Sequence, residues 1–400
     1  MRRSMITRAA SIMLVSVMAL SVFGCGDSGA ETGVATTDVN MFEPIKEEDS
    51  NTGSEKAEDT AESDDKQEEE KEELPAEIPE GMYASELTGL PISEELKNQR
   101  PIAVMVDNES EALPHFGTAA CDVVYEIMNS TLNNRITRLM AVVKDYEAIE
   151  QLGSIRSTRP TNILLAAEWN AVLCHDGGPQ VHINPYFSRG FCDHFSGTFS
   201  RVNNGKKREF TEYILSGDLD SQANFGSGKV AKEYWDGFSG DTPHFNFVEY
   251  GKETHLEDKY EKTYKVKQII LPFPHNGSVL VYNDDTEKYE YYEYGERHED
   301  EDTGEPLAFD NVILQDCSFS QLDENGYLIY NCLDAGKLGF YITKGVAKSI
   351  SWSKHSDQDF TRFYDDNGEE IVMNRGKTYI SLVPEDSWDK LIMNEVVPEE

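Results

Sequence analysis

Residues 153–169 read GSIRSTRPTNILLAAEW, which places a polar, basic turn directly before a helix-forming run. Pro160 suits the first position of a helix, where its missing N–H costs nothing, so a helix is predicted to begin there with Arg159 as its N-cap. The Ala and Leu content extends this helix to Glu168. The stretch therefore predicts a strand-to-helix turn.

Short apolar runs surround this turn, and each is bounded by turn-forming residues; they are 101–106, 123–127, 139–143 and 169–174. Continuous apolar runs of this length indicate strands that are buried on both faces. Their alternation with helices predicts an α/β domain with a mostly buried sheet, at residues 82–257.

Beyond this segment the pattern changes to shorter strand-like runs separated by turns such as Asn283-Asp284-Asp285 and Asp366-Asn367-Gly368. Gly and Asn tolerate the backbone conformations that tight hairpins require. Residues 258–392 are therefore predicted to form a smaller, hairpin-rich β domain. The overall class is predicted to be α+β.

The amino terminus indicates where the protein works. A basic start, an apolar run at 12–23 and the pair Gly24-Cys25 are typical of a lipoprotein signal peptide, predicted at residues 1–24. The run is shorter than the roughly 20 residues of a membrane-spanning helix. Lipidation of Cys25 would anchor the protein to the outer face of the cell membrane, so the predicted location is extracytoplasmic. A cleaved secretory signal with an incidental cysteine, or an uncleaved anchor, remains open.

Residues 25–81 are predicted to be a disordered acidic tether, because they are rich in Glu, Asp, Ser, Thr and Lys and nearly free of aromatic residues. The whole chain carries a formal net charge of -38, which disfavours nucleic acid as a partner. Five cysteines remain after Cys25, with no Cys-x-x-Cys pair. An odd number at irregular spacing predicts neither a disulfide framework nor a zinc site.

The turn has the chemistry of an anion site. A helix start carries partial positive charge, and arginine side chains add forked donors that suit phosphate or carboxylate. If the surrounding strands are parallel, their ends and the adjoining loops share one edge of the sheet. The predicted ligand-binding residues are Asn108, Arg138, Arg156, Ser157, Arg159, His175, Gly177 and Gly178. The alternative is that the arginines pair with carboxylates of the same domain.

A catalytic interpretation assigns acid/base roles to His175, Asp176 and Glu168, although sequence does not measure their separation. The chain has no Gly-x-Ser-x-Gly elbow and no phosphate loop of the Walker type. The His and Asp residues between 175 and 194 lack the spacing of a helical metal-binding pair, so neither a metal nor another cofactor is predicted. The sequence favours a role other than catalysis.

Several motifs recur in order along the chain: RPIAVMVDN, CDVVYEI, GSIRSTRP, His175 followed by two glycines, and RGKTYISLVP. Together they resemble the YerB-type lipoprotein family of Gram-positive bacteria, over about residues 83–384. The resemblance implies a two-part domain of unknown function with no established catalytic residues.

These observations predict a lipid-anchored, extracytoplasmic binding or accessory protein of the cell envelope that recognises an anionic ligand. Its predicted partners are the membrane, through Cys25, and a cell-wall polymer or an envelope protein. The alternatives are an envelope hydrolase or transferase acting on wall polymer, and a protein–protein scaffold.

Overall fold

A computed structural model describes residues 77–235, 238 and 243–397 of the chain. The predicted signal peptide, Cys25 and nearly all of the predicted tether lie outside these residues. None of the helices in the described ranges has the length and apolar character needed to cross a membrane.

Strands dominate the described residues. Those of the first half are β1 Met82–Ala84, β2 Pro91–Ser93, β3 Ile102–Asp107, β4 Val123–Met128, β5 Thr137–Val143, β6 Gln151–Gly153, β7 Val172–His175, β8 His194–Ser196, β9 Ser200–Arg201 and β10 Glu212–Leu215. Those of the second half are β11 Tyr264–Lys265, β12 Gln268–Ile270, β13 Val279–Asn283, β14 Lys288–Glu293, β15 Glu296–Arg297, β16 Ala308–Phe309, β17 Asn311–Cys317, β18 Phe319–Gln321, β19 Leu328–Tyr330, β20 Ala335–Thr343, β21 Val346–Ser353, β22 Arg362–Tyr364, β23 Thr378–Pro384 and β24 Ile392–Asn394.

Helices are few and short. The α-helices of the described ranges are α1 Pro160–Glu168, α2 Gln180–Phe187 and α3 Leu256–Lys259, and the 3-10 helices are Glu94–Leu96, Ser110–Ala112, Tyr146–Ala148, Arg208–Phe210 and Glu385–Lys390. The predicted α+β class is confirmed, with a strong excess of strand.

The largest sheet has the strand order β11-β21-β20-β17-β23-β4-β5-β3-β7-β8, and β22 adds to β21. Every residue of β3, β4 and β5 is buried, as their continuous apolar sequences predict. A second sheet, with the order β15-β14-β13-β12-β24 and β16 beside β14, is built entirely from the second half.

The two halves meet in the central sheet. β4 pairs in parallel with β23, in a register that places Val123 opposite Thr378. The sequence did not predict this pairing, and the predicted boundary between residues 257 and 258 remains a prediction.

The strands around the candidate site are of mixed direction. β7 runs parallel to β3, whereas β5 is antiparallel to both β3 and β4. The start of β5 therefore lies at the same edge of the sheet as the ends of its neighbours. This edge collects the residues that the sequence analysis selected.

The helix predicted after the arginine turn is present with the predicted bounds. α1 begins at Pro160, its N-cap Arg159 has an extended backbone, and all nine residues of the helix are buried. The Asn162 side-chain oxygen accepts a hydrogen bond of 3.1 Å from the backbone N–H of Arg159. Cys121, Cys174, Cys192, Cys317 and Cys332 are buried and unpaired.

Candidate functional site

Backbone hydrogen bonds hold the arginine turn across one edge of the central sheet. The N–H of Arg156 donates to the carbonyl of Met105 in β3 over 2.8 Å, and the N–H of Thr158 donates to the carbonyl of Gly177 over 3.1 Å. In β5, Arg138 lies directly opposite Asp107, the last residue of β3. The turn, the start of β5 and the loop after β7 therefore meet at this edge.

Arg138 is buried, with 5% of its surface exposed. Its Nη1 donates to the Asn129 side-chain oxygen over 3.0 Å, and to the backbone oxygen and Oγ of Ser157 over 2.6 and 3.0 Å. Its Nε is buried and meets no hydrogen-bond partner among the described residues. Burial, opposed in part by Asp107, lowers the pKa of this guanidinium.

Arg159 is buried beside it, with 6% of its surface exposed. Its Nε donates to the backbone oxygen of Asn129 over 3.2 Å, and its Nη1 donates to the backbone oxygen of Thr158 over 2.9 Å. The guanidinium also lies 4.4 Å from the centre of the Tyr327 ring. Burial, together with the charge of Arg138, lowers the pKa of Arg159 to about 9.

Within the described ranges neither Arg138 nor Arg159 forms an ion pair, and Arg156 differs from them in this respect. The Nε of Arg156 bonds to Asp107 and its Nη2 bonds to Glu209, each over 2.5 Å. For Arg156 the structure thus shows the internal pairing that the sequence left open as an alternative. A buried charge is costly unless it is paired, and Asp107 offsets this cost for Arg138 only in part. Arg138 and Arg159 are therefore incompletely compensated cations.

His175 stabilises the loop that contains Gly177 and Gly178, here called the glycine loop. Its Nδ1 donates to the carbonyl of Gly177 over 2.7 Å, and its Nε2 lies 3.0 Å from Nδ1 of His194. Burial lowers the pKa of His175 to about 4, so this imidazole is neutral near pH 7. At Gly178 a Cβ atom would come 2.8 Å from the backbone oxygen of Thr158, which explains the need for glycine there.

Asn108 does not join the arginine cluster, which corrects its predicted place. Its amide nitrogen donates to Thr137 Oγ1 over 3.0 Å and to the Tyr291 hydroxyl over 3.2 Å. Successive residues of a strand face opposite sides of the sheet, so contact with Thr137 puts Asn108 on the side opposite Arg138. There it lies in a buried polar cluster around Glu126.

The three acid/base candidates have separate partners. Glu168, at the far end of α1, accepts hydrogen bonds from the Tyr125 hydroxyl over 2.8 Å and from Thr361 Oγ1 over 2.7 Å, and pairs with Lys354 over 3.1 Å. Burial alone would raise the pKa of Glu168, but Lys354 and the hydrogen bonds hold it well below its ordinary range. Asp176 pairs with Arg201 over 2.7 Å. Among the described residues the structure does not bring the three groups together as a catalytic set.

The sequence of the chain matches the profiles of a known protein family. The profile described as "Protein of unknown function (DUF3048) N-terminal domain" matches residues 87–257, and the profile for the C-terminal domain of the same family matches residues 269–380. The chain belongs to this family. The predicted resemblance to YerB-type proteins is confirmed by a match in sequence and a match in structure.

One family member is the Bacillus subtilis (strain 168) protein named "Putative lipoprotein YerB". It is 23% identical over 324 residues, which cover 75% of this chain and 86% of that protein. The crystal structure of YerB from Bacillus subtilis matches with a TM-score of 0.62 at 21% identity, over 76% of this chain and 97% of that one. At this level of identity the match establishes a shared fold.

Two residues that contact Arg138 or Arg159 were not among the site residues predicted from the sequence. Asn129 contacts both arginines and follows the predicted strand at 123–127, so its position after a strand end was an available signal. Tyr327 lies far along the chain in the second half, and no local pattern connects it with Arg159.

Proposed function

We propose that the protein is a lipid-anchored binding or accessory protein of the cell envelope, and that it binds an anionic group through Arg138 and Arg159. The observation that carries this proposal is the presence of two neighbouring buried guanidinium groups, neither of which forms an ion pair among the described residues. A phosphate or carboxylate group would supply the missing negative charge.

Desolvation makes the two buried arginines costly in the absence of a ligand. Water stabilises a guanidinium strongly, and burial in a protein removes that hydration. Backbone carbonyls accept some of the N–H groups of Arg138 and Arg159, but a carbonyl carries only partial negative charge. Each arginine also raises the cost of keeping the other protonated. A bound anion would relieve both costs, because it brings a full charge and several acceptor oxygens.

The surrounding residues leave the pair within reach of solvent. Ser157, Gly177 and Tyr327 are only partly buried, and each lies beside one of the arginines or beside the turn that carries them. Ser157 Oγ would offer a further hydrogen bond to the ligand. In this arrangement Arg156 and His175 position the turn and the glycine loop, since their own polar atoms already have partners.

The proposed location rests on the lipobox at Cys25 and on the name of the related YerB protein. A lipidated Cys25 followed by a long acidic tether would place the anion site outside the cytoplasm, near the cell wall. The ligand class is therefore a phosphate or carboxylate of a wall polymer or of a small metabolite.

Thermal unfolding of the full chain with increasing inorganic phosphate, and separately with acetate, tests the proposal. A ligand that binds only the folded state raises its apparent stability by about 2.7 kcal/mol at 100 times Kd. We expect one of these anions to raise Tm in the wild type and to leave Tm unchanged in Arg138→Gln and Arg159→Gln.

Arg189→Gln is the matched control, because Arg189 is an exposed arginine paired with Asp357 elsewhere on the chain. It removes the same charge and should retain the full anion-induced shift. Equal shifts in all four proteins, or no shift in any of them, would contradict binding at the arginine pair.

A further inference from the structure

A second site with unused ligand atoms lies outside the arginine cluster. His115, Glu293 and His298 are all buried, and each offers one metal-ligand atom within 4.8 Å of the others. His115 follows the 3-10 helix Ser110–Ala112, whereas Glu293 ends β14 and His298 follows β15. The cluster therefore joins a loop of the first half to a hairpin of the second.

One ring nitrogen of His115 is a hydrogen-bond acceptor that has no donor. Its Nε2 lies 2.5 Å from the carbonyl oxygen of Asp107, and a carbonyl can only accept, so Nε2 carries the proton. Nδ1 of this neutral ring is then an acceptor, and it is buried without a partner among the described residues.

Glu293 also has a buried polar atom without a hydrogen-bond partner, and it lies beside His298. One oxygen of Glu293 lies 2.8 Å from His298 Nδ1, while its other oxygen, Oε2, is buried and has no hydrogen-bond partner in the described ranges. The second nitrogen of His298 lies 3.0 Å from Thr118 Oγ1. Buried polar atoms almost always have a partner, so two orphan acceptors in one cluster indicate an occupant that supplies hydrogen-bond donors or a positive charge.

We propose that this cluster binds one divalent transition-metal ion such as Zn²⁺, through His115 Nδ1, Glu293 Oε2 and His298 Nδ1. Two imidazoles and a carboxylate are a donor set that zinc accepts, with water in the fourth position. When the metal binds, His298 carries its proton on Nε2 and donates it to Thr118 Oγ1. The Asp107 carbonyl and Thr118 then orient the two imidazoles from behind, as outer partners of metal-bound histidines do.

The position of the site indicates a structural role. With all three side chains buried and drawn from both halves, the ion would hold the loop at His115 against the hairpin of β14 and β15. Metal binding of this kind contributes directly to the free energy of folding. The sequence predicts no metal here, because these three residues lie too far apart in the chain to form a recognisable spacing.

Cobalt titration of the full chain tests the site after its metal has been removed with a chelator. Co²⁺ is the probe because its visible absorption reports the coordination geometry. We expect one equivalent per chain with a tetrahedral spectrum, displacement by Zn²⁺, and a rise in Tm with either metal. Glu293→Gln keeps the shape and the hydrogen bond to His298, and should abolish the spectrum, as should His115→Gln.

Three further variants distinguish this site from other histidines and from misfolding. His194→Gln and the exposed His355→Gln should bind Co²⁺ like the wild type, whereas Thr118→Val should weaken binding by roughly tenfold. Circular dichroism confirms that each variant is folded. The proposal is overturned if the wild type binds no Co²⁺, or if Glu293→Gln and Thr118→Val bind it as the wild type does.

Discussion

Helix α1 has a buried charged residue at each end, and the two residues differ in the partners that surround them. At the carboxyl end, Glu168 is completely buried and is met by Lys354, Thr361 and Tyr125. At the amino end, Arg159 is also buried, but its partners are backbone carbonyls and an aromatic ring. The first arrangement includes an ion pair within the chain, whereas Arg159 forms no ion pair among the described residues.

This difference distinguishes a charge that is paired within the protein from a charge that is available to bind a ligand. A compensated buried pair needs nothing more, and its two members depend on each other for stability. An uncompensated pair of like charges gains stability when an anion arrives. The following substitutions therefore test whether the two ends of α1 respond in opposite ways.

The largest effect is expected from Lys354→Met. It leaves Glu168 buried without its cationic partner, which should destabilise the protein by about 3–5 kcal/mol. Urea unfolding measures the loss. The double variant Lys354→Met/Glu168→Gln removes the stranded charge and should recover part of it, and a single variant as stable as the wild type would show that Glu168 is compensated by its hydrogen bonds alone.

The next effect concerns His175, which supports the arginine end. Its folded-state pKa is lowered to about 4 from an ordinary value of 6.5, so between these values the unfolded chain binds the proton and the folded protein does not. Stability contributed by the neutral ring is therefore present above pH 6.5 and is lost as pH falls toward 4, by up to about 3 kcal/mol.

Unfolding free energies measured from pH 7 to pH 4 check this expectation. His175→Asn should show a flatter profile than the wild type, and the exposed His355→Asn should reproduce the wild-type slope. Parallel profiles for all three proteins would mean that His175 titrates alike in the folded and unfolded chains.

A smaller effect is expected from Gly178→Ala. The added Cβ would meet the Thr158 carbonyl at a backbone φ of +149°, and the combined clash and strain should cost about 2 kcal/mol. Gly190→Ala is the control, since Gly190 has a positive φ but no atom within 4 Å of an added Cβ. Equal losses in urea unfolding would mean that the close approach to Thr158 imposes no cost of its own.

The smallest effect is expected from Arg159→Met in buffer without phosphate or carboxylate. The lost hydrogen bonds are offset by relief of desolvation, and the Met side chain can still pack on Tyr327, so stability should change by no more than about 1 kcal/mol. Urea unfolding compares it with Lys354→Met. A loss as large as that of Lys354→Met would erase the distinction between the two ends of the helix.

Much of the local structure followed from local sequence. The bounds of α1, its arginine N-cap and the buried strands of the central sheet were all readable from proline position and apolar runs. Arg138, Arg156, Arg159 and His175 lie at one edge of the sheet, and β5 reaches this edge by running antiparallel to β3. These residues come together because the order of strands and connections in the chain restricts which edge of the sheet each loop can occupy.

The partners of the charged residues did not follow from sequence. Whether an arginine is paired depends on carboxylates from distant parts of the chain. Glu209 forms an ion pair with Arg156, whereas no described carboxylate comes within ion-pair distance of Arg138 or Arg159. Asn108 was misplaced because one residue of strand position reverses the face to which a side chain points.

The sequence by itself predicted a lipoprotein signal and an acidic tether, and it determined the α+β class and the helix after the arginine-rich turn. These features depend on composition and on contacts between near neighbours in the chain. Only the tertiary structure decided that β4 pairs with β23, that Lys354 compensates Glu168, and that His115 meets Glu293 and His298. Those contacts join residues separated by long stretches of chain. Which buried surfaces and charges contact one another depends on the whole fold. Such long-range contacts cannot be read from the local periodicity of the sequence.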